Sequence, residues 1–239
     1  MRRGGELFVV EGRLAVAQLV RSPYPIAALL LAEEKVAAAA DLVAAGRDQA
    51  APVYVASRAV VRATVGFDLH RGVLAAGRRL APTPPEALWR PGATRLLAAE
   101  GVNDHENLGG LFRNAAAFGA DGVLLDPTCA DPLYRRSIRV SLGHVLHLPF
   151  ARATAWPTEL DALRAAGWDV AALTPGGETE LGRWAPDGPV ALVVGAEGGG
   201  LSPEVLAATS RRVRIPMAHG VDSLNVATAA AIALYHVAS

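Results

Sequence analysis

LLAAEGVNDHENLGGLFRNAAAFGADGVLLD, residues 96–126, is the stretch on which the fold turns. Its ends, LLAAEG and GVLLD, are continuous apolar runs of strand length. Between them Leu108, Leu111, Phe112 and Ala115 follow the i, i+3, i+4, i+7 spacing of one buried helix face, which predicts a helix over residues 107–119. Strands that are apolar throughout, rather than at alternate positions, belong to a parallel sheet covered on both faces. Ligands of such sheets bind at the carboxyl ends of the strands.

The segment joining the first strand to the helix carries candidate chemistry. Asn107 is expected to cap the helix. Arg113 follows Gly109 and Gly110 by one turn, and helical side chains lean toward the N-terminus. Its guanidinium is therefore expected to pass over the glycines toward a phosphate or another anion. The alternative is a capped helix with a solvated arginine. The consecutive Asp104, His105 and Glu106 point in different directions, so no metal site is expected there.

Working outward, HVLHLPF, DVAALT and VALVVG read as further buried strands, and residues 158–167, 203–209 and 224–238 as helices. The fold class is α/β, with a parallel sheet in the larger domain, residues 95–239. The preceding APTPPEALWRPGAT, residues 81–94, is proline-dense and is expected to be a linker without regular structure. Ahead of it, residues 1–80 alternate helical GRLAVAQLV, strand AALLLAEE, helical KVAAAADLVAAGRD, strand PVYVAS, helical SRAVVRATV and strand GVLAAG, a small α/β domain.

Composition narrows the function classes. The 239 residues are 51% hydrophobic and 19% charged, a globular balance. No uninterrupted apolar run reaches the length of a membrane span, and the N-terminus has no secretory apolar region. The single cysteine, Cys129, fits a reducing cytosol. A cytoplasmic location without membrane attachment is expected. Net charge is zero, but residues 1–90 hold twelve Lys/Arg against eight Asp/Glu and residues 91–239 eleven against fifteen. Any nucleic-acid affinity is expected to begin in the first part, although ordinary scatter of surface charge would give the same balance.

Two more loops carry unusual residues. In VVGAEGGGLSPE, residues 193–204, a strand ends at Gly195, and four glycines surround Glu197. Close backbone approach by a ligand is one reading, a flexible turn the other. No Lys follows Gly200 and no G-x-G-x-x-G is present, which removes the usual nucleotide fingerprints and argues against an oxidoreductase. Ser202 and Pro203 begin the next helix. In RIPMAHGVDSLNVATAAAIALYHV, residues 214–237, Arg214 to Met217 reads as a short strand. Ser223 or Asn225 caps a final helix so apolar that it must be buried on several sides.

Taken in order, the three loops resemble the SpoU/TrmH family of RNA 2′-O-ribose methyltransferases in the SPOUT superfamily. Asp104, His105, Asn107, Gly109 and Arg113 match its first motif. Gly195, Glu197, Gly198, Gly200, Leu201 and Ser202 match its second, and Ile215, Pro216, Met217, Ser223, Leu224, Asn225 and Val226 its third. The first domain, FVVEGRLAVAQLV through HRGVLA, is similar to the ribosomal-protein-like RNA-binding domain found in part of the family. His105 stands where proline is common and Ala196 where asparagine is.

The resemblance implies a C-terminal trefoil knot, a rare exception to chain topology. It also implies S-adenosylmethionine bound by Leu173, Gly195, Ile215, Met217, Ser223 and Leu224, a homodimer, and methyl transfer to a ribose 2′-OH of rRNA or tRNA. Arg113, Asn107, Glu197, Ser223 and Asn225 would carry catalysis. Arginine carries donors and no acceptor, so Arg113 is expected to bind the phosphate beside the target ribose, with Asn107 fixing its geometry. Glu197, Ser223 and Asn225 would order the loops. The alternative class is a methyltransferase-like RNA-binding protein without activity.

Overall fold

The computed structural model describes residues 5–65 and 72–238. Arg2, Arg3, His70 and Arg71, which entered the reading of the first domain, lie outside them. The elements run β1 Leu7–Glu11, α1 Arg13–Arg21, β2 Ile26–Ala32, α2 Ala40–Asp48, β3 Val53–Ala56, α3 Arg58–Val65 and β4 Val73–Arg78. They continue with β5 Arg95–Glu100, α4 His105–Ala117, β6 Gly122–Leu125, α5 Arg135–Val140, β7 Phe150–Arg152 and α6 Thr158–Ala165. Last come β8 Asp169–Leu173, β9 Thr179–Glu180, β10 Val190–Gly195, α7 Pro203–Ala208, β11 Arg211–Arg214 and α8 Val226–Ala238.

The chain divides into two compact units, residues 1–81 with 131–147, and residues 82–130 with 148–239. In the first, four strands lie in the order β1-β4-β2-β3; β4 runs antiparallel to both neighbours and β3 parallel to β2. Phe8, Val10, Leu29 and Leu31 are buried on one face, while Val61 of α3 packs with Leu74, Val9 and Leu30 on the other. Strand β1 was not expected from sequence: it is five residues long and closes on Gly12 at φ 91°, directly before α1. The run KVAAAADLVAAGRD starts its α-helix only at Ala40, after two 3-10 turns.

The second unit holds a seven-stranded sheet, β7-β6-β5-β10-β8-β11-β9, parallel at every pairing. Leu96, Ala98, Leu124, Val170, Ala191 and Val193 face one side, where they pack with Leu160 and Leu163 of α6 and Val205 of α7. Leu97, Ala99, Val123, Leu125 and Leu192 are buried on the other side, with α4 and α8. Both faces are covered, which is why these strands read as unbroken apolar runs.

Three expectations fail in instructive ways. HVLHLPF is not one strand: residues 144–146 form a 3-10 turn, and the strand begins at Phe150, after Pro149, which has no N–H to give a ladder. The run also straddles the boundary between the two units. Arg214 to Met217 is not the strand either; β11 ends at Arg214, two residues before Pro216. The proline-rich segment is packed rather than free. A 3-10 turn over Pro85–Trp89 buries Leu88 completely, and Thr83 bridges Ala151.

Candidate active site

In the second unit β10 lies between β5 and β8, and the carboxyl ends of β8 and β10 meet a cavity of about 700 Å³. That size suits a small-molecule site. The walls come from three segments: the end of β8 at Leu173, the glycine turn after β10, and the chain from Ile215 to Ala229. Leu173, Gly195, Ile215, Met217, Ser223 and Leu224, the six expected cofactor contacts, all line it, and so do Glu197 and Asn225.

Gly195 is required at the turn. A Cβ there would stand 2.3 Å from the backbone carbonyl of Gly200, closer than side-chain carbons ever come. The turn itself closes through the Gly200 N–H donating to the Ala196 oxygen at 3.0 Å, with Gly198 and Gly200 at positive φ. A backbone so tightly folded presents peptide groups rather than side chains to the cavity. At its far end Ser202 caps α7, accepting from the Val205 N–H, with Pro203 at the first helical position as expected.

Asn225 joins all three motifs. Its Oδ1 accepts from the backbone N–H groups of Ala227 and Thr228, at 3.0 and 3.2 Å, and thereby caps α8. That fixes the amide's orientation and leaves both Nδ2 hydrogens to donate. One goes to Asn107 Oδ1 and the other to Glu197 Oε1, each at 2.7 Å. Ser223, the other candidate cap, is exposed in the loop and has no hydrogen bond among the described residues.

Helix α4 is capped by Asp104, not Asn107: Asp104 Oδ1 accepts from the N–H groups of Glu106 and Asn107 at 2.8 and 2.9 Å. Asn107 is thereby displaced into the first turn and its side chain freed for Asn225. His105 becomes the first helical residue, the place where proline is favoured because its missing N–H would have no partner anyway. Histidine there departs from the motif without disturbing the helix.

Gly110 of α4 serves packing rather than clearance for Arg113. A Cβ on Gly110 would lie 2.8 Å from Ala227 Cβ, so α8 occupies the space. Asn114, one turn on, donates to the Ala227 oxygen at 2.7 Å. Leu108, Leu111, Phe112 and Ala115 are buried as expected. Arg113 falls on neither face. It is exposed, does not line the cavity, and has no hydrogen-bond or ion-pair partner among the described residues.

The support beneath the site was not anticipated. Asp126, at the end of β6, accepts from the N–H groups of Gly101 and Cys129 and from the Thr128 hydroxyl. Burial pushes its carboxyl up, but these hydrogen bonds outweigh it and hold the group below the usual aspartate value. Burial, with Asp126 beside it, pushes the Cys129 thiol up to about 12, so this cysteine is inert packing. Only the alternation of apolar strand and polar terminal residue, as in VLLD, hinted at such a role.

Known proteins bear on this geometry. The sequence model of the SpoU rRNA methylase family matches residues 94–235. A Mycobacterium bovis protein described as an uncharacterized tRNA/rRNA methyltransferase is 47% identical, the match covering 97% of this chain and 81% of that one. The SpoU methyltransferase AviRb from Streptomyces viridochromogenes, solved with AdoMet, superposes with a TM-score of 0.84 at 26% identity, over 98% of this chain and 90% of that one. A structure described as an RNA 2′-O ribose methyltransferase superposes at 0.77 with 28% identity, over 97% and 88%. A match that takes in β5 and most of α8, and with them every residue of the cavity wall, makes this chain a member of the SpoU methylase family.

Proposed function

We propose that the protein is an S-adenosylmethionine-dependent methyltransferase acting on a ribose 2′-OH of structured RNA, ribosomal or transfer. The observation that carries the reading is the cavity, where all six expected cofactor contacts meet beside the Asn107–Asn225–Glu197 node. Its volume and peptide-rich wall suit a nucleoside with a flexible polar tail, and AviRb was solved with that cofactor. The similar 2′-O ribose methyltransferase supports the choice of acceptor.

When bound, S-adenosylmethionine supplies an electrophilic methyl group on a sulfonium. The chain's own residues position the acceptor. Arg113, exposed and uncommitted, binds the phosphate next to the target ribose, and its charge favours the developing alkoxide. Asn107, Asn225 and Glu197 hold the loops in one arrangement, so that approach geometry is set before the acceptor arrives. Ser223 faces the same space and orders the substrate side.

The C-terminal trefoil knot belongs to this reading. It is supported by β10 lying between β5 and β8, with residues 215–225 running beside the glycine turn. The homodimer is supported by Ile232 and Tyr235 of α8, which are 39% and 64% exposed on an otherwise apolar helix. Residues 1–80 are assigned to RNA binding, through their resemblance and their basic excess. Action on RNA and a lone buried thiol are consistent with the cytoplasm; among the described residues no helix is long and apolar enough to cross a membrane.

Calorimetric titration with S-adenosylmethionine, followed by transfer of labelled methyl groups to ribosomal and transfer RNA, tests the proposal. Saturable binding and 2′-O-methylated nucleosides in the digested RNA are expected. A folded protein that binds RNA but no cofactor would instead be an inactive relative, and base methylation would refute the ribose assignment.

A further inference from the structure

Glu100 closes β5 and lies in register with Gly195, the last residue of β10. Its carboxylate collects three donors from parts of the second unit that are remote in sequence. Oε2 accepts from the Ser202 N–H at 2.8 Å, while Oε1 accepts from the Ser202 hydroxyl at 2.8 Å and from Trp156 Nε1 at 3.0 Å. Ser202 is the residue that ends the glycine turn and caps α7. Glu100 therefore stands beside one end of the turn and grips the other. Between those ends lie residues 196–201, all of them in the cavity wall.

We propose that Glu100 is a positioning residue for cofactor binding, setting the span of the glycine turn through Ser202. The proposal rests on the reading that the cavity holds S-adenosylmethionine. A turn of glycines has many accessible conformations, and its own Ala196–Gly200 closure leaves Leu201 and Ser202, where the turn joins α7, outside it. The carboxylate adds a fixed end: a charged acceptor with two bonds to one residue sets both the distance and the rotation of Ser202. Glutamine fills the same volume but offers a single acceptor oxygen, so at least one donor of the three faces an NH₂ group. Trp156 Nε1, donating to the oxygen that the Ser202 hydroxyl also reaches, adds a further hold on the carboxylate.

The test compares E100Q, S202A and the double variant with the wild type, by calorimetry with S-adenosylmethionine and by steady-state kinetics. E100Q is expected to weaken cofactor binding about tenfold, the worth of a lost charge-assisted hydrogen bond. KM for the cofactor should rise while kcat at saturating cofactor and KM for RNA stay near wild type. A purely structural defect would reduce kcat through lost active protein and leave KM unchanged. The double variant should fall short of the sum of the two single effects on KM, because both changes act on the shared Glu100–Ser202 hydroxyl bond, while loss of the α7 cap belongs to S202A alone. If E100Q does not fold, S202A carries the test through the same rise in KM, since it leaves the carboxylate in place. Wild-type binding with unchanged affinity in folded E100Q or S202A would overturn the positioning role. Absence of binding by the wild type would overturn the cofactor reading instead.

Discussion

The side-chain amide of Asn225 donates to Asn107 Oδ1 at 2.7 Å, joining residues 118 positions apart in sequence. The same amide group reaches Glu197, and its oxygen caps α8, so one side chain ties together the starts of two helices and the glycine turn. A single substitution can separate these duties. In N225D the cap acceptor remains, but both donors vanish and a second carboxylate faces Glu197. Methyl transfer is expected to fall about 100-fold, equivalent to roughly 3 kcal/mol for two lost bonds and the new repulsion. The unfolding midpoint without ligand should move little, measured by circular dichroism. Near-wild-type turnover would show that the node is ornamental.

Gly110 gives a prediction whose sign is diagnostic. In an exposed helix, glycine to alanine stabilises by about 1 kcal/mol. Here the added methyl meets Ala227 Cβ at 2.8 Å, so α4 and α8 must separate. G110A is expected to lose about 1–2 kcal/mol net in urea unfolding, the cost of overpacking exceeding the propensity gain. A stabilised variant would mean that the two helices can slide apart freely.

Arg113 is outside the cavity and uncommitted, so its role should appear with RNA and not with cofactor. R113K keeps the charge and loses the fork that holds a phosphate through two bonds; kcat is expected to fall by about tenfold to 100-fold with cofactor affinity unchanged. R113A should fall further. If R113K turned over like the wild type, paired hydrogen bonding to phosphate would be excluded. Loss of RNA binding by R113A with intact single-turnover chemistry would confine the residue to binding.

Asp126 makes stability depend on acid. Its folded-state carboxyl is held below the ordinary value, with three donors outweighing burial. A lowered folded value means that the stabilisation is complete above the unfolded-state value, near 4, and is lost as pH falls through the folded one. The stability difference between wild type and D126N should therefore be constant from about pH 6 to 8 and shrink below about pH 4. Denaturant unfolding at several pH values measures it, and a difference independent of pH would remove the assigned cause.

Much of this protein was legible in local pattern. Apolar runs such as VALVVG reveal strands buried on both faces, because nothing polar survives there without a partner. Spacing on α4 identified its buried face, and among the glycines around Glu197, Gly195 marked a backbone folded too tightly for a side chain, while Gly198 and Gly200 take positive φ. Legibility failed where competing local signals were near balance. Asp104 and Asn107 are both good caps, and the choice depends on where the chain leaves β5. Residues 131–147 looked like part of the larger domain, but they pack with the first unit, and α5 among them has too few residues to announce itself by period.

By itself the sequence determined the class of sheet, the helix faces and the residue types of three loops, all consequences of neighbours within a few turns of chain. Only the tertiary structure decided that Asn225 would choose Asn107 and Glu197, that Glu100 would hold Ser202, and that α8 would fill the space beside Gly110. The reason is physical. A hydrogen bond or a close helix crossing is fixed to within tenths of an ångström by strand order, and β10 lies between β5 and β8 through pairings that span the whole domain.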